Sequence, residues 1–159
     1  MIGPIISGLV FSAVIIILSI YRTNACRIFL GLFFIVMALG VNLPFVVTQP
    51  YFVYEYGMGA WFSYYRVLTE SIIGLNPKLF GVILISFELV TGLLLLGKDS
   101  RVKIGIFLSS GFILILVPLY YSQIAWAISI PGILLLLRKN YRQNMVEILS
   151  VKLKKRQSD

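Results

Sequence analysis

Long apolar stretches, few charged side chains and a one-sided distribution of positive charge indicate an all-α fold, namely a polytopic membrane helix bundle. The chain of 159 residues is 59% hydrophobic and carries 14 basic and 6 acidic side chains. Soluble domains contain about 25% charged residues, whereas this chain contains 13%. The charge is missing from long blocks, as in membrane spans. We therefore expect a single membrane domain over residues 1–159.

Five apolar stretches predict five transmembrane helices. They cover residues 2–21, 28–48, 79–97, 102–120 and 123–137. A helix needs about 20 residues to cross the hydrocarbon core, and the last stretch is short. The last two stretches share an uncharged run whose length as one helix would be about 51 Å, too long for a single crossing. Pro118 and the polar residues that follow it predict a turn within that run.

The basic residues predict the orientation. If the connection around Arg22 and Arg27 is cytoplasmic, five spans place twelve of the 14 basic residues inside and leave Arg66 and Lys78 outside. Four spans would leave five inside and nine outside. Because cytoplasmic segments are enriched in Lys and Arg, the sequence predicts five spans in a cell or inner membrane, with the N-terminus outside and the C-terminus in the cytoplasm.

Residues 49–78 form one long outer segment that is rich in aromatic residues. Eight aromatic side chains fall between positions 51 and 65. Trp61, Tyr65, Leu68 and Ile72 recur at helical spacing, which predicts an interfacial amphipathic helix in the outer aromatic belt. The other interpretation is a lid over a cavity that accepts an apolar ligand, because binding cavities are often covered by aromatic side chains. Both can hold together.

The C-terminal tail, residues 138–159, is basic. Tyr141, Met145, Ile148 and Leu149 lie along one stripe, so the tail is expected either to lie on the inner leaflet or to dock a partner protein. The net charge of +8 also raises the question of nucleic acid. Since the basic residues flank apolar runs or lie in the tail, membrane orientation explains them and no nucleic-acid partner is expected.

Residue composition argues against an intrinsic metal or haem centre. The sequence contains no histidine, and Cys26 is its single cysteine. Zinc, iron–sulfur and haem sites draw mainly on these two residue types. No metal ligands and no intrinsic cofactor are therefore expected, and a bound quinone or lipid is the remaining possibility.

Glu88 is the residue that most strongly suggests a functional site. It lies ten positions from both Lys78 and Lys98, which places it about 15 Å from either end of its helix, near the bilayer centre. A carboxylate at that depth costs about 2.5–3.5 kcal/mol on insertion scales. Such a residue persists when it is paired, neutral or turned towards protein. Gly81 and Gly92 share its face, and small residues allow a second helix to approach there.

Few polar groups are available to accompany Glu88. Asn42 is one candidate, and Ser109, Ser110 and Ser129 in the last two apolar stretches are further candidates. A neutral carboxyl can donate a hydrogen bond to a carbonyl, including that of a quinone, or pass a proton on. The candidate ligand-binding residues are thus Glu88, Gly92, Trp61, Tyr65 and Asn42, with no catalytic residue assigned. A purely structural hydrogen bond between helices is the competing interpretation.

The stretch from Phe87 to Arg101 (FELVTGLLLLGKDSR) resembles the signature of DoxX-like membrane proteins, and Arg27–Gly31 (RIFLG) resembles the first span of that family. The resemblance covers roughly residues 27–137. It implies a four-helix core, to which span 2–21 is an N-terminal addition, and an association with membrane redox metabolism. The residues it carries over are Glu88, Gly92, Arg27 and Gly31. The lysine that often follows the family's first span is absent near Asn42.

The first functional hypothesis is therefore a membrane subunit of quinone-linked redox metabolism, in contact with lipid and with partner subunits, which binds a quinone or lipid near Glu88. The alternative is a structural or assembly subunit of a larger membrane complex with no chemistry of its own. A small transporter or channel is a third hypothesis, which the scarcity of polar lining residues disfavours for a monomer.

Overall fold

The computed structural model describes residues 2–150, and the secondary-structure elements within this range are helices. The helices are α1 Gly3–Tyr21, α2 Thr23–Val36, α3 Leu43–Thr48, α4 Phe52–Met58, α5 Ser63–Ser71, α6 Pro77–Leu96, α7 Ser100–Leu116, α8 Ile124–Ala127 and α9 Ile130–Leu135. A π-helical segment, Met37–Asn42, joins α2 and α3 into one rod. Residues 145–150 form a further helical turn. The part of the tail from 151 to 159 lies outside the described residues.

Among residues 2–150, four helices are long and apolar enough to cross a membrane: Gly3–Tyr21, Thr23–Thr48, Pro77–Leu96 and Tyr121–Arg138. They coincide with four of the five predicted spans. Their outward faces carry exposed aliphatic side chains such as Leu9, Leu93 and Val90, as expected for helices in contact with lipid. The chain therefore has the features of an integral membrane protein. The remaining predicted span corresponds to α7, which has 17 residues.

The connections between the helices gather at two opposite ends of the bundle. At one end, the Arg27 side chain from the start of α2 reaches the carbonyls of Gly97 and Gln143. At the same end, Asp99, with a positive φ of 54°, donates its N–H to the Tyr141 carbonyl over 2.7 Å. At the other end, Trp61 Nε1 donates to the Val117 carbonyl over 3.1 Å. The outer segment therefore packs on the α7–α8 connection.

A close crossing of α2 and α6 depends on two glycines. A Cβ at Gly92 would lie 2.8 Å from the Gly31 carbonyl oxygen and 2.7 Å from Ile35 Cγ1. A Cβ at Gly31 would likewise lie 3.0 Å from the Gly92 oxygen. These helices pack extensively, and small residues permit such approach between membrane helices. The predicted role of Gly92 as a residue that admits a second helix agrees with this geometry.

We expect Gly92→Ala to destabilise the protein by about 1–3 kcal/mol, because the added methyl meets backbone atoms that cannot move aside easily. Thermal unfolding in one detergent would measure the change. Gly111→Ala is the matched control on α7, since no atom of residues 2–150 lies within 4 Å of a Cβ built there. A helical alanine is intrinsically favourable over glycine by up to about 1 kcal/mol. Equal stability of the two variants would contradict the proposed close contact.

The last membrane-length segment is broken rather than continuous. Pro131 begins the second half at the first turn of α9 and has no N–H to donate to the preceding turn. Ser12 Oγ on α1 donates to the Ala125 carbonyl over 2.7 Å, and Ser129 Oγ donates to the Trp126 carbonyl over 2.6 Å. Two hydroxyls thus satisfy carbonyls near the break, which an apolar medium requires.

The outer segment and the described part of the tail both fold onto the bundle. The outer segment contains α4 and α5, and α5 begins two residues after Trp61. In the tail, Tyr141 and Ile148 are buried, and Tyr141 belongs to the main hydrophobic core. The stripe that suggested a membrane surface or a partner therefore contributes two side chains to the protein's own packing.

Candidate functional site

Asn42 occupies the end of the π-helical segment, and the sequence explains the irregularity. Pro44 follows two residues later and cannot donate an N–H to the helix. The N–H of Leu43 instead donates to the Ala38 carbonyl, five residues back. The extra residue in this turn alters the direction of the side chains around it, and such π segments are frequent at functional sites. Asn42 is consequently buried in the bundle.

Asn42 and Glu88 form a hydrogen bond that joins the α2–α3 rod to α6. Asn42 Nδ2 donates to Glu88 Oε2 over 2.7 Å. The Glu88 side chain is 3% exposed, and within residues 2–150 it makes no ion pair. One carboxyl oxygen therefore has an amide partner, and the other has no hydrogen-bonding partner in the described part of the chain. The pair is a polar feature in apolar surroundings.

Glu88 and Asn42 line a cavity of about 900 Å³. This volume falls within the range of about 300–1,000 Å³ that is typical of small-molecule sites. Most of the other lining side chains are aliphatic or aromatic, contributed by the α2–α3 rod, α4, α6, α7 and the start of the last segment. A large apolar cavity with a few convergent polar groups is the usual form of a site for a small apolar ligand.

One face of α6 forms a continuous wall of the cavity. Phe80, Ile83, Leu84, Phe87 and Glu88 line it, at the spacing of neighbouring positions on one helix face. Eight residues separate the first from the last, which corresponds to about 12 Å along the axis. The cavity therefore extends from near the start of α6, the end next to residues 49–78, to the level of Glu88.

A second polar group of side chains lies where the cavity meets the outer segment. Gln123 Nε2 donates to the Tyr56 hydroxyl over 2.6 Å, and the rings of Tyr56 and Tyr120 lie 4.7 Å apart. All three residues line the cavity. Burial raises the pKa of Tyr56, so its phenol stays neutral and remains a donor at physiological pH. We call these three residues the outer polar cluster.

The structure brings together some of the predicted site residues but not all. Glu88 and Asn42 are in direct contact in the cavity wall. Gly92 lies on the same helix but at the crossing with α2. Trp61 and Tyr65 are not among the cavity-lining residues. The aromatic residues of the outer segment that do line the cavity are Phe52 and Tyr56. Helical spacing singled out residues 61–72, and nothing in that pattern distinguishes α4 as the element closer to Glu88.

Arg27 is fully buried at the opposite end of the bundle from the outer segment. Its Nη1 donates to the carbonyls of Gly97 over 2.6 Å and Leu95 over 3.4 Å, and Nη2 donates to the Gln143 carbonyl. The guanidinium lies 4.6 Å from the centre of the Tyr141 ring. Within residues 2–150 no carboxylate contacts it. Carbonyls at the end of α6 carry partial negative charge, which favours a cation there.

Tyr141 is itself held in place by a hydrogen bond. Its hydroxyl donates to the Leu136 carbonyl over 2.9 Å, and burial raises its pKa to about 12. The neutral phenol thus keeps its proton for this bond. Arg27 and Tyr141 together connect α2, the end of α6 and the tail, and do not border the cavity at Glu88.

Comparisons of the chain with models of protein families, with curated proteins and with solved structures found no match. The cavity, its polar groups and the membrane-length helices are therefore the features that bear on function.

Proposed function

We propose that this protein is a membrane subunit of quinone-linked redox metabolism that binds a quinone, or a lipid with a similar head group, at Glu88. The observation that supports this most directly is a buried, amide-paired carboxyl in the wall of an apolar cavity of about 900 Å³. Placing a carboxyl inside a membrane domain is costly and marks a functional site by default. The proposed kinship with DoxX-like proteins points the same way.

The proposed chemistry is hydrogen bonding to a ligand carbonyl. Glu88 Oε2 accepts from Asn42, so a neutral Glu88 can present its proton on the other oxygen. A protonated carboxyl is a hydrogen-bond donor, and a quinone carbonyl is an acceptor. The rings of Phe87 and Phe112, with centroids 5.2 Å apart, line the cavity beside it and offer an aromatic surface for a flat ring. In this proposal the chain binds and orients the ligand, while electrons come from a partner or a soluble substrate.

The proposed topology has five crossings, with the N-terminus outside and the C-terminus in the cytoplasm. In support, Arg27 and the basic 98–103 connection lie at the same end of the bundle as the tail. The outer segment, with its exposed Trp61, Phe62 and Tyr64, lies at the other end, and α5 would be the interfacial helix. We expect protease- or label-accessible tags at the two ends to react from opposite sides of the membrane. Labelling from the same side would contradict five crossings.

We expect a short-chain benzoquinone to bind saturably and to quench the fluorescence of Trp126, which lines the cavity. The sequence has two tryptophans, so a Trp61→Phe background isolates this signal. In that background, Glu88→Leu should weaken binding about tenfold or more, since it removes the donor and leaves Asn42 unpaired. The quinone affinity of Glu88→Gln should lie between those of wild type and Glu88→Leu, because the glutamine amide can still donate a hydrogen bond.

Ser86→Ala is the matched control for this measurement. Ser86 lies on the same helix with its hydroxyl bonded to the Val82 carbonyl over 2.8 Å, and it is exposed rather than turned into the cavity. Its replacement should leave the affinity unchanged. Non-saturable quenching, or equal affinity of wild type and Glu88→Leu, would contradict a quinone site at Glu88.

The alternative is a structural or assembly subunit, favoured by the fact that the Asn42–Glu88 hydrogen bond joins two long helices. In that case the pair stabilises the packing of the two helices and does not bind a ligand. Co-purification with a fixed set of larger membrane subunits, and the absence of any extracted quinone or selectively bound lipid, would support this alternative.

A further inference from the structure

A second concavity lies beside the cavity at Glu88, on the outside of the bundle. It is an open groove of about 490 Å³ between α1 and α2. Its walls are formed by Ile6, Val10 and Val14 on α1, by Phe29 and Phe33 on α2, and by Trp126. Ile6 and Val10 are more than half exposed. Because both helices are of membrane length and apolar, this groove faces the lipid.

Among the residues that the structure describes, the groove and the cavity have two wall residues in common. Phe33 and Trp126 line both, and their ring centroids lie 5.9 Å apart at an interplanar angle of 35°. The wall between the groove and the cavity at this point is therefore formed in part by these two side chains and not by backbone alone. Side chains can change rotamer without breaking helix hydrogen bonds, so this wall can open while the bundle stays intact.

Aromatic rings continue from this wall to the residue next to Glu88. The ring centroids of Phe33 and Phe34 lie 6.1 Å apart, and those of Phe34 and Phe112 lie 5.8 Å apart. The centroids of Phe112 and Phe87 lie 5.2 Å apart. All four line the cavity. An apolar chain that starts from a head group at Glu88 would thus meet apolar surface as far as the groove.

We infer that the ligand of the cavity carries one long apolar tail, and that this tail passes Phe33 and Trp126 into the groove between α1 and α2. The inference rests on the proposed function, because it takes the head group to be at Glu88. Towards residues 49–78 the cavity is lined by the outer polar cluster, where an alkyl chain would exclude water from Tyr56 and Gln123 and offer them no hydrogen bond of its own. The groove, in contrast, presents apolar side chains to the tail and opens to lipid. The ligand class is therefore a single-tailed amphiphile such as an isoprenoid quinone.

The test compares a tail-less quinone with the same ring bearing a long isoprenoid tail, using Trp126 quenching in the Trp61→Phe background. Val10→Phe narrows the groove, and Val90→Phe is the control. Val10 is 59% exposed and Val90 is 52% exposed, both on lipid-facing helices, but Val90 borders neither concavity. Wild type should bind the tailed analogue more tightly. Val10→Phe should weaken the tailed analogue about tenfold, the equivalent of about two methylene groups, and leave the tail-less one unchanged.

The outcomes separate this inference from the proposed function. If the tail-less quinone binds and depends on Glu88, while Val10→Phe has no effect on the tailed analogue, the tail path is wrong and the head-group site stands. An equal loss for both analogues, or equal wild-type affinities for both, also overturns the tail path and leaves a lipid acyl chain as the occupant of the groove. If neither analogue binds saturably, the proposed function fails as well.

Discussion

Replacing Arg27 by alanine should destabilise the protein by about 3 kcal/mol or more. The guanidinium is fully buried and donates to three carbonyls, those of Leu95, Gly97 and Gln143. A hydrogen bond to a charged group contributes about 1.5–3 kcal/mol, and buried carbonyls left without a donor add a desolvation penalty. The contact with the Tyr141 ring would be lost as well. Non-additivity makes the total smaller than the sum of these contributions.

Thermal unfolding of the purified protein in one detergent measures this effect. For a chain of this size, a loss of about 3 kcal/mol corresponds to a fall in Tm of about 6–12 °C. Arg101→Ala is the control, because Arg101 is exposed near the same end of the bundle. Arg27→Lys should be intermediate, since lysine keeps the charge but lacks the planar fork. A Tm for Arg27→Ala equal to that of Arg101→Ala would show that the buried contacts contribute nothing.

Replacing either member of the Asn42–Glu88 pair by leucine is the second prediction with a large effect. Each single variant leaves the other polar group buried without its partner, which costs about 1–3 kcal/mol. The double variant Asn42→Leu/Glu88→Leu removes both groups, and replacing both partners by apolar side chains can be close to neutral. We therefore expect the double variant to regain most of the stability that each single variant loses.

The same four proteins separate ligand binding from packing. If the pair forms a ligand site, the double variant should be stable yet bind quinone at least about tenfold more weakly than wild type. If the hydrogen bond serves packing alone, the double variant should have the same stability as in the first case. It should then bind every tested ligand as tightly as wild type does. A double variant less stable than both single variants would contradict the stability argument, and the coupling energy from the cycle gives its size.

The sequence predicts the helices well because the signal is local. An apolar run of bilayer length forces the backbone to satisfy its own hydrogen bonds, and a helix is the way in which a single segment can do so. Four predicted spans accordingly coincide with helices of membrane length. The break near Pro118 is also local, and the helix there ends at Leu116. The boundaries of the predicted spans differ from those of the helices by a few residues. The clearest difference is at α2, which begins at Thr23, whereas the predicted span begins at residue 28.

The candidate site could be predicted in part. Glu88 is evident from the sequence, because a carboxyl at mid-depth in an apolar run is costly wherever the helix points. Its contact with Asn42 depends on a π segment that follows from Pro44, and the sequence suggested Asn42 as one companion among several. Helical spacing predicts Trp61 and Tyr65 as ligand-binding residues, but this spacing describes one helix at a time. Which aromatic residues line the cavity depends on how α4 and α5 pack.

For this protein, the order of residues alone determined that apolar helices of membrane length form and that one of them carries a carboxyl at its centre. Both follow from the free energy of placing backbone and charge in hydrocarbon, which depends on neighbours along the chain. The burial of Arg27, the cavity at Glu88 and the wall of Phe33 and Trp126 were decided by the tertiary structure. They bring together residues far apart in sequence, and packing between apolar faces selects among many arrangements of nearly equal hydrophobicity.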